Sequence, residues 1–573
     1  MKFKKSLSLI LIFALVMSMA FVGCTSSSNE GGNEVAEGTE ETTPVVDAPD
    51  EQATEVVEES DLAEDQIFRI NIGQEPQILD PFQFRDDKAT SLIYALHEPL
   101  FRISTDEAGY EPGLGESFEA NDDNTVYTVK LRKDAKWQDG TDVTADDVVY
   151  SFKRAVDPEF GSEKAFDYYV IKNAEKVVSG ELGVDELGVK KLDDYTVEFT
   201  LEQPMDYFIH YMVMPGFAPI QEEAGQAFKD IYGTNPDKIV SSGPFTIESW
   251  EHDSSITLKK NDHYWDAENV TLDEVYVTII LDGNTIASMF EVDDLDYMEV
   301  GPDYIPKYKE DPGFRVRSQV RVSFIEFNPN IEFLNNIKIR EALSLTFDRI
   351  AYVENVLQSG DMPAYGLMPP GMTGLSGGDF REQAGDIVMD MGNDPEAIER
   401  AKTLLDEGLA ELGKTKEEME EFLEVLCVDS PGAKKNAQAI QQMWLKNLDL
   451  NLTVTPMQVK MLIPMLMDGT FHCVVGGGRT AQTPDPAYMV DFIYYEGKWD
   501  DPTYTEMMEN AFVQVGDERI QTLMDIEKYV LEKFVFIPQQ FGMASSVIKS
   551  DVAGFKTFPL TLQYDFKYVQ IKN

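Results

Sequence analysis

Strand-like and helix-like hydrophobic patterns alternate along the chain from residue 67 to the C-terminus. Apolar residues recur at every second position in the strand-like segments and every three to four positions in the helix-like ones. The strand-like segments include Ile67–Ile72, Tyr127–Leu131, Leu450–Thr455 and the apolar run Phe471–Val475, and the helix-like segments include Ala433–Leu448 and Gln458–Met467. Helices that alternate with strands favour an α/β fold.

Capping residues mark the start of two further helices. Thr144 precedes an apolar helical run, and Asp147 follows three residues later, which is close to a capping box. Asp394 and Pro395 have the pattern of an N-cap and a first-turn proline, and they predict a helix through Leu405.

The first 23 residues have the features of a secretory signal peptide. Lysines precede the apolar stretch Ser6–Val22, which is 17 residues long and is followed by no basic stop-transfer cluster. The segment that ends in Cys24 resembles the lipobox of bacterial lipoproteins, although Phe21 stands where Leu is most common. This resemblance implies that residues 1–23 are a lipoprotein signal peptide and that the Cys24 thiol carries diacylglycerol.

Residues 24–66 have the composition of a disordered acidic tether. Between Thr25 and Gln66 there are 14 acidic residues and no aromatic residue, Lys or Arg. Such a segment cannot bury enough apolar area to offset the entropy of ordering it, and its r.m.s. reach is roughly 35 Å. We therefore expect an extracytoplasmic body, held on the outer face of the cell membrane by the lipid anchor alone.

The charge balance narrows the possible partners. The chain has 48 Lys and Arg against 103 Asp and Glu, a formal net charge of −55. Nucleic-acid binding and docking on anionic lipid both need clusters of basic residues, so neither is expected.

The sequence offers little for catalysis, metals or cofactors. No two of the five histidines have helical metal-site spacing, and none pairs with a Cys at zinc spacing. There is no G-x-S-x-G motif and no Walker A motif. The glycines Gly476–Gly478 lack the spacing of a phosphate loop, so a sharp or a closely approached backbone is expected there. Cys427 and Cys473 lie in apolar runs, as is typical of buried free thiols. A non-enzymatic protein with no metal or cofactor is predicted.

Several separated blocks resemble one family of proteins. The blocks are Tyr127–Ala155, Ser241–Trp265, Phe327–Arg349, Pro363–Pro370, Gln482–Gly497 and Phe558–Asn573. They are similar to segments of the dipeptide/oligopeptide-binding proteins, family 5 of the solute-binding proteins of ABC importers. The resemblance covers residues 67–573 in order.

The resemblance implies a type II periplasmic-binding-protein fold of the cluster C kind. Two hinged α/β lobes are expected, with an extra domain packed on the first. The implied first lobe is discontinuous, with residues 67–109, 238–322 and 540–573; the extra domain is 110–237 and the second lobe 323–539. A ligand closes such lobes only by binding the closed form more tightly.

The implied function is that of an extracytoplasmic receptor that captures oligopeptides. In peptide-binding relatives the peptide backbone pairs with protein strands, while its side chains sit in roomy, wet pockets. The closed receptor, expected to be a monomer, would then dock on an ABC permease, and a partner ATPase subunit would hydrolyse ATP. The chain itself would need no catalytic residue.

Three segments are implied to line the ligand site. The candidate ligand-binding residues are Arg85, Asp86 and Asp87 in the first segment, Ser323, Phe324 and Glu326 in the second, and Gly478, Arg479, Thr480, Gln482 and Asp485 in the third. Gln482 departs from the pattern of many relatives, in which an Asp binds the α-ammonium of the peptide. A neutral amide cannot neutralise a buried ammonium.

Two explanations of Gln482 stay open. In one, Asp86 or Asp87 replaces the missing anchor and the ligand remains a peptide. In the other, Arg85 and Arg479 favour a non-peptide solute, such as an oligosaccharide, an opine or a metal chelate. A further alternative is a signalling or adhesion lipoprotein that binds peptide without transporting it.

Overall fold

A computed structural model describes residues 59–573 except 85–86, 105–108, 163, 389–391, 482, 496–498 and 561. The predicted signal peptide, the predicted lipidation site Cys24 and most of the predicted tether lie outside the described residues.

The folded body begins before residue 67, which differs from the predicted end of the tether. Glu59–Asp61 form a 3-10 turn. The buried Gln66 side chain donates hydrogen bonds to the carbonyl oxygens of Ala63 and Ile571, each at 2.9 Å. The end of the acidic segment is therefore ordered, because the C-terminal strand supplies partners 505 residues away in the sequence.

The strands of the described residues are β1 (Ile67–Asn71), β2 (Phe101–Ile103), β3 (Tyr110–Pro112), β4 (Gly115–Ala120), β5 (Val126–Leu131), β6 (Val189–Asp193), β7 (Thr196–Thr200), β8 (Phe245–Glu251), β9 (Ser255–Lys260), β10 (Glu274–Thr278), β11 (Tyr297–Glu299), β12 (Phe314–Phe327), β13 (Met362–Pro363), β14 (Glu424–Val428), β15 (Thr453–Met457), β16 (Cys473–Thr480), β17 (Phe536–Ile548), β18 (Val552–Ala553), β19 (Lys556–Thr557), β20 (Tyr564–Asp565) and β21 (Gln570–Ile571).

Their α-helices are α1 (Asp87–Leu96), α2 (Ala145–Val156), α3 (Ala174–Val178), α4 (Ile209–Met212), α5 (Glu222–Phe228), α6 (Gly283–Glu291), α7 (Ile305–Tyr308), α8 (Ile337–Leu345), α9 (Arg349–Ala351), α10 (Phe380–Ala384), α11 (Pro395–Leu412), α12 (Lys416–Phe422), α13 (Pro431–Leu448), α14 (Val459–Met467), α15 (Asp491–Tyr495), α16 (Pro502–Val513) and α17 (Gly516–Glu532).

One large sheet runs through the molecule in the order β15-β14-β16-β12-β17-β11-β1-β10-β9-β8, and β13 pairs with β17. A separate four-stranded antiparallel sheet has the order β4-β5-β7-β6. The long strands β12 and β17 are antiparallel and connect the two halves of the large sheet.

The pairing of β12 with β17 breaks in the middle of both strands. Pairing runs from Phe314 to Ser318 of β12 and resumes at Val322, opposite Phe541. Within the break, Val320 has a φ of 46°, which is an outlier for a β-branched residue. A register break bends the strands that carry it. The two halves of the sheet are therefore joined through a bend in β12 and β17.

Buried apolar side chains form three large clusters. The first packs around β1, β8–β10 and the four-stranded sheet, and it contains Trp137 and Phe152. The second and third cover opposite faces of the other half of the large sheet. Alternating residues of β12 enter both of them, since Phe324 lies in the third cluster and Ile325 in the second.

The described residues contain no helix that is both long and apolar enough to cross a membrane. Within the same part of the chain, no group of His, Cys, Asp and Glu side chains is arranged to hold a metal ion. Cys427 and Cys473 are buried free thiols, as the sequence predicts.

Candidate functional site

Five residues of three neighbouring strands form one face of the large sheet beside the register break. In the antiparallel pairing of β12 with β16, Arg321 lies opposite Thr480 and Ser323 lies opposite Gly478. On the other side of β12, Ser323 lies opposite Gln540 of β17. Residues two apart on a strand share a face. We call this set the polar face: Arg321, Ser323, Gly478, Thr480 and Gln540.

Glycines keep this part of β16 close to β12. A Cβ atom at Gly478 would lie 2.8 Å from the carbonyl oxygen of Val322, so a larger residue would push the strands apart. Gly476 has a φ of 79°, and its N–H donates to the Gln539 Oε1 at 3.3 Å. The closely approached backbone predicted for the three glycines is therefore present at Gly478.

Arg479 lies on the opposite face of the sheet from Ser323, and its side chain binds residues that follow it closely in the sequence. Its Nε donates to the Tyr488 carbonyl oxygen at 2.9 Å, and its Nη2 forms a 3.0 Å ion pair with Asp491. The guanidinium also lies 4.2 Å from the centre of the Tyr488 ring. The structure therefore differs from the expectation of a cation offered to the ligand, because Asp491 neutralises Arg479.

Phe324 and Glu326 also lie on that opposite face. Phe324 is buried and packs against the rings of Phe492 and Phe536, with centroids 6.1 and 4.9 Å away. Glu326 is buried, and its backbone is paired with Val474 of β16. Phe324 thus has the contacts of a core residue rather than of a ligand contact.

Asp485 is part of the scaffold. Its carboxylate accepts two hydrogen bonds from the Arg519 guanidinium, at 2.7 and 2.9 Å, and it caps the short 3-10 helix that follows. Bidentate pairing of this kind fixes the orientation of both groups.

The remaining candidates fall in or beside segments outside the described residues. Arg85, Asp86 and Gln482 are outside them, and Asp87 is the first residue of α1. Of the candidates, the structure brings Ser323, Gly478 and Thr480 together.

Arg321 and Gln540 are members of the polar face that the sequence reasoning missed. The signal for Arg321 was available, because the alternation of a strand places it on the same face as Ser323. The signal for Gln540 was not, since it depends on a strand pairing between residues 217 apart, Ser323 and Gln540.

A contact between residues 206–207 and helix α17 joins the four-stranded-sheet region to the second half of the large sheet. The Asp206 carboxylate accepts a 2.7 Å hydrogen bond from the Gly516 N–H, at the N-terminus of α17, where negative charge is stabilised. Beside it, the Arg519 Nη2 donates to the Tyr207 hydroxyl at 3.2 Å. We call this set the bridging contact: Asp206, Tyr207, Gly516 and Arg519.

Replacing Asp206 with alanine is expected to open the molecule in the absence of ligand. The substitution removes one hydrogen bond and one charge–dipole interaction, together worth about 1–2 kcal/mol. Small-angle X-ray scattering should therefore give a larger radius of gyration for the variant than for the wild type.

A matched control removes a similar bond without touching the bridging contact. Asp517, the next residue of α17, accepts a 2.6 Å hydrogen bond from the Ser376 N–H. The Asp517→Ala variant should keep the wild-type radius of gyration. Equal scattering from Asp206→Ala and the wild type would show that the bridging contact does not restrain the two halves.

Comparisons with known proteins identify the family of this chain. The family described as "Bacterial extracellular solute-binding proteins, family 5 Middle" matches residues 109–501. The chain belongs to this family. A family-5 protein is a solute-binding receptor rather than an enzyme, which confirms the class predicted from the sequence.

Two curated relatives and one solved structure extend the match over nearly the whole chain. The oligopeptide-binding protein OppA of Bacillus subtilis is 31% identical over 546 residues, 93% of each chain. The dipeptide-binding protein DppE of the same organism is 27% identical over 559 residues, 96% of each chain. The substrate-binding domain of an oligopeptide ABC transporter from Bacillus anthracis superimposes with a TM-score of 0.70 at 28% identity, covering 90% of this chain and 100% of that one. The structural match confirms the predicted fold class.

Proposed function

We propose that this family-5 protein is the substrate-binding subunit of an ABC importer and that it captures oligopeptides between two closing lobes. The observation that carries the proposal is the end-to-end similarity to the oligopeptide-binding protein of Bacillus subtilis. The edge of β16 supports it, because β14 pairs with this strand only at Cys473 and Val474 among the described residues, and the edge beyond them can pair with an extended peptide backbone.

The proposed lobes are residues 67–109, 238–322 and 540–573 for the first, and 323–539 for the second, with 110–237 as the extra domain. The register break of β12 and β17 supports these limits, since it lies between Ser318 and Val322 and next to Phe541. The bend at Val320 would act as the hinge, because the break leaves β12 and β17 unpaired with each other where they pass between the lobes.

We also propose that lipid on Cys24 anchors the receptor to the outer face of the membrane and that a permease receives the ligand. The charged start, apolar stretch and Gly23-Cys24 pair support the anchor. A Cys24→Ala variant should appear in the medium, while the wild type should stay with the membrane fraction; equal distribution of the two would refute anchoring at Cys24.

Uptake tests the proposed role directly. A strain that lacks this protein should lose import of a labelled oligopeptide mixture, and the wild-type chain supplied in trans should restore it. Unchanged uptake in the deletion strain would contradict transport and favour a peptide-sensing lipoprotein.

A non-peptide ligand is the second candidate, and Gln482 is the observation that favours it. Where many relatives have an Asp for the peptide α-ammonium, this chain has a neutral amide. The α-ammonium of a bound peptide would then lack that counter-charge.

A further inference from the structure

The polar face carries one cation, Arg321, that no group among the described residues neutralises. The Arg321 guanidinium forms no hydrogen bond and no ion pair within 4.0 Å in the part of the chain that the structure describes, and its Nε is buried without an acceptor. Its aliphatic stem packs on β17, where its Cδ would lie 3.5 Å from a Cβ at Gly542. The stem thus packs against β17, while the charged head has no partner in the described part of the chain.

Asp361, the acidic group whose charge acts on Arg321, does not supply that partner. Asp361 lies close enough to interact with the Arg321 charge, but its carboxylate accepts a 3.0 Å hydrogen bond from the Met543 N–H instead. Burial lowers the pKa of the Arg321 guanidinium and raises the pKa of the Asp361 carboxyl, as expected for charges that lack a close counter-ion. An anion should bind favourably to a desolvated guanidinium of this kind, because the anion would offset the free-energy cost of burying the positive charge.

The residues beside Arg321 can form hydrogen bonds with the peptide N–H group that lies next to a carboxylate. The Gln540 Oε1 is buried with no donor among the described residues, so it can accept a hydrogen bond from a ligand N–H. Thr480, directly opposite Arg321, supplies a hydroxyl, and Gly478, opposite Ser323, adds no side chain of its own to this face. A carboxylate beside a peptide N–H would satisfy both Arg321 and Gln540.

We infer that Arg321 is a specificity-determining residue of the ligand site, and that it selects peptides carrying a carboxylate, from the C-terminus or from an acidic side chain. This inference rests on the proposed function. The net charge of −55 does not oppose it, because exposed charges are screened within about 8 Å at physiological salt, whereas a partly buried cation acts locally.

Binding of a defined peptide pool, one peptide at a time, tests the inference. The pool consists of alanine pentapeptides that carry Glu or Gln at each position in turn, each with a free or an amidated C-terminus. Isothermal titration of the protein with each peptide separately gives its affinity, which mass alone could not assign because several of these peptides are isomers. For at least one position, the wild type should bind the carboxylate form about 10-fold to 100-fold better than its amide counterpart.

Three variants separate the role of Arg321 from general effects of charge or folding. Arg321→Gln should bring the carboxylate-to-amide ratio close to one while neutral peptides still bind. Arg321→Lys, which keeps the charge but loses the planar fork, should retain part of the preference. Arg315→Gln, which removes an arginine from the same strand outside the polar face, should keep the wild-type ratio.

The outcomes distinguish this inference from the proposed function. An unchanged ratio in Arg321→Gln, or a wild-type ratio of one at every position, overturns the inference and leaves peptide binding intact. A wild type that binds no member of the pool overturns the proposed peptide ligand and the inference together.

Discussion

Replacing Arg102 with methionine is expected to lower the free energy of unfolding of the protein by about 3–5 kcal/mol. Arg102 is completely buried; its Nη1 donates to Glu98 at 2.6 Å and its Nη2 to Asp565 at 2.7 Å. The substitution would leave two buried carboxylates without their counter-charge. The Tyr264 hydroxyl and the Trp265 Nε1 donate to Glu98, but they cannot replace a cation.

Chemical denaturation followed by tryptophan fluorescence measures this effect. Lys130→Met is the matched control, because Lys130 pairs with Glu119 at 3.2 Å while both side chains are more than half exposed. Such a surface pair contributes about 0–1 kcal/mol. A loss below about 1 kcal/mol in Arg102→Met would show that the ion pairs of Arg102 with Glu98 and Asp565 do not hold the C-terminal segment, where Asp565 lies, against the segment that carries Glu98 and Arg102.

Replacing Gln482 with aspartate is expected to raise the preference for peptides with a free N-terminus about 10-fold to 100-fold over the wild type. The aspartate would supply the charge-assisted partner for an α-ammonium that the amide lacks. Isothermal titration with a peptide and its N-acetylated form gives the ratio of affinities for each protein.

Gln482→Asn is the control, because it has the size of aspartate without the charge. Equal ratios for the aspartate and asparagine variants would refute the anchoring role of position 482. The wild-type ratio also separates the two explanations of Gln482, since a clear preference for the free amine would mean that another carboxylate, such as Asp86 or Asp87, serves as the anchor.

Local signals predicted helices well. Thr144 and Asp147 form a capping box at the start of α2, as the sequence indicates. Asp394 caps α11, but that helix continues past Leu405 to Leu412 and ends at Gly413 with a φ of 66°. The predicted end was too early, whereas the start was confirmed, because N-caps leave a stronger local pattern than the last turns do.

Strand limits were less predictable because pairing partners determine them. The alternation of Leu450–Thr455 predicts a strand there, but Leu450 and Leu452 enter the core before β15 begins at Thr453. The apolar run Phe471–Val475 predicts a strand that stops at the glycines, yet β16 continues to Thr480 because β12 pairs with it on both sides of Gly476.

The site was predictable only in part, for the same reason. Ser323 and Thr480 were recognised from family-like segments, and the structure places them on one face. The partners of Arg479 and Asp485 are Asp491 and Arg519, and neither ion pair can be inferred from spacing along the chain. Arg321 becomes informative only in the folded structure, where no carboxylate of the described residues lies within 4.0 Å of its guanidinium.

Native mass spectrometry of the protein purified with whatever ligand it retains tests the central claim most directly. A receptor for oligopeptides should release a mixture of peptide masses on denaturation, because backbone pairing tolerates many side chains. A single mass that is not a peptide would contradict the account and would favour a non-peptide solute.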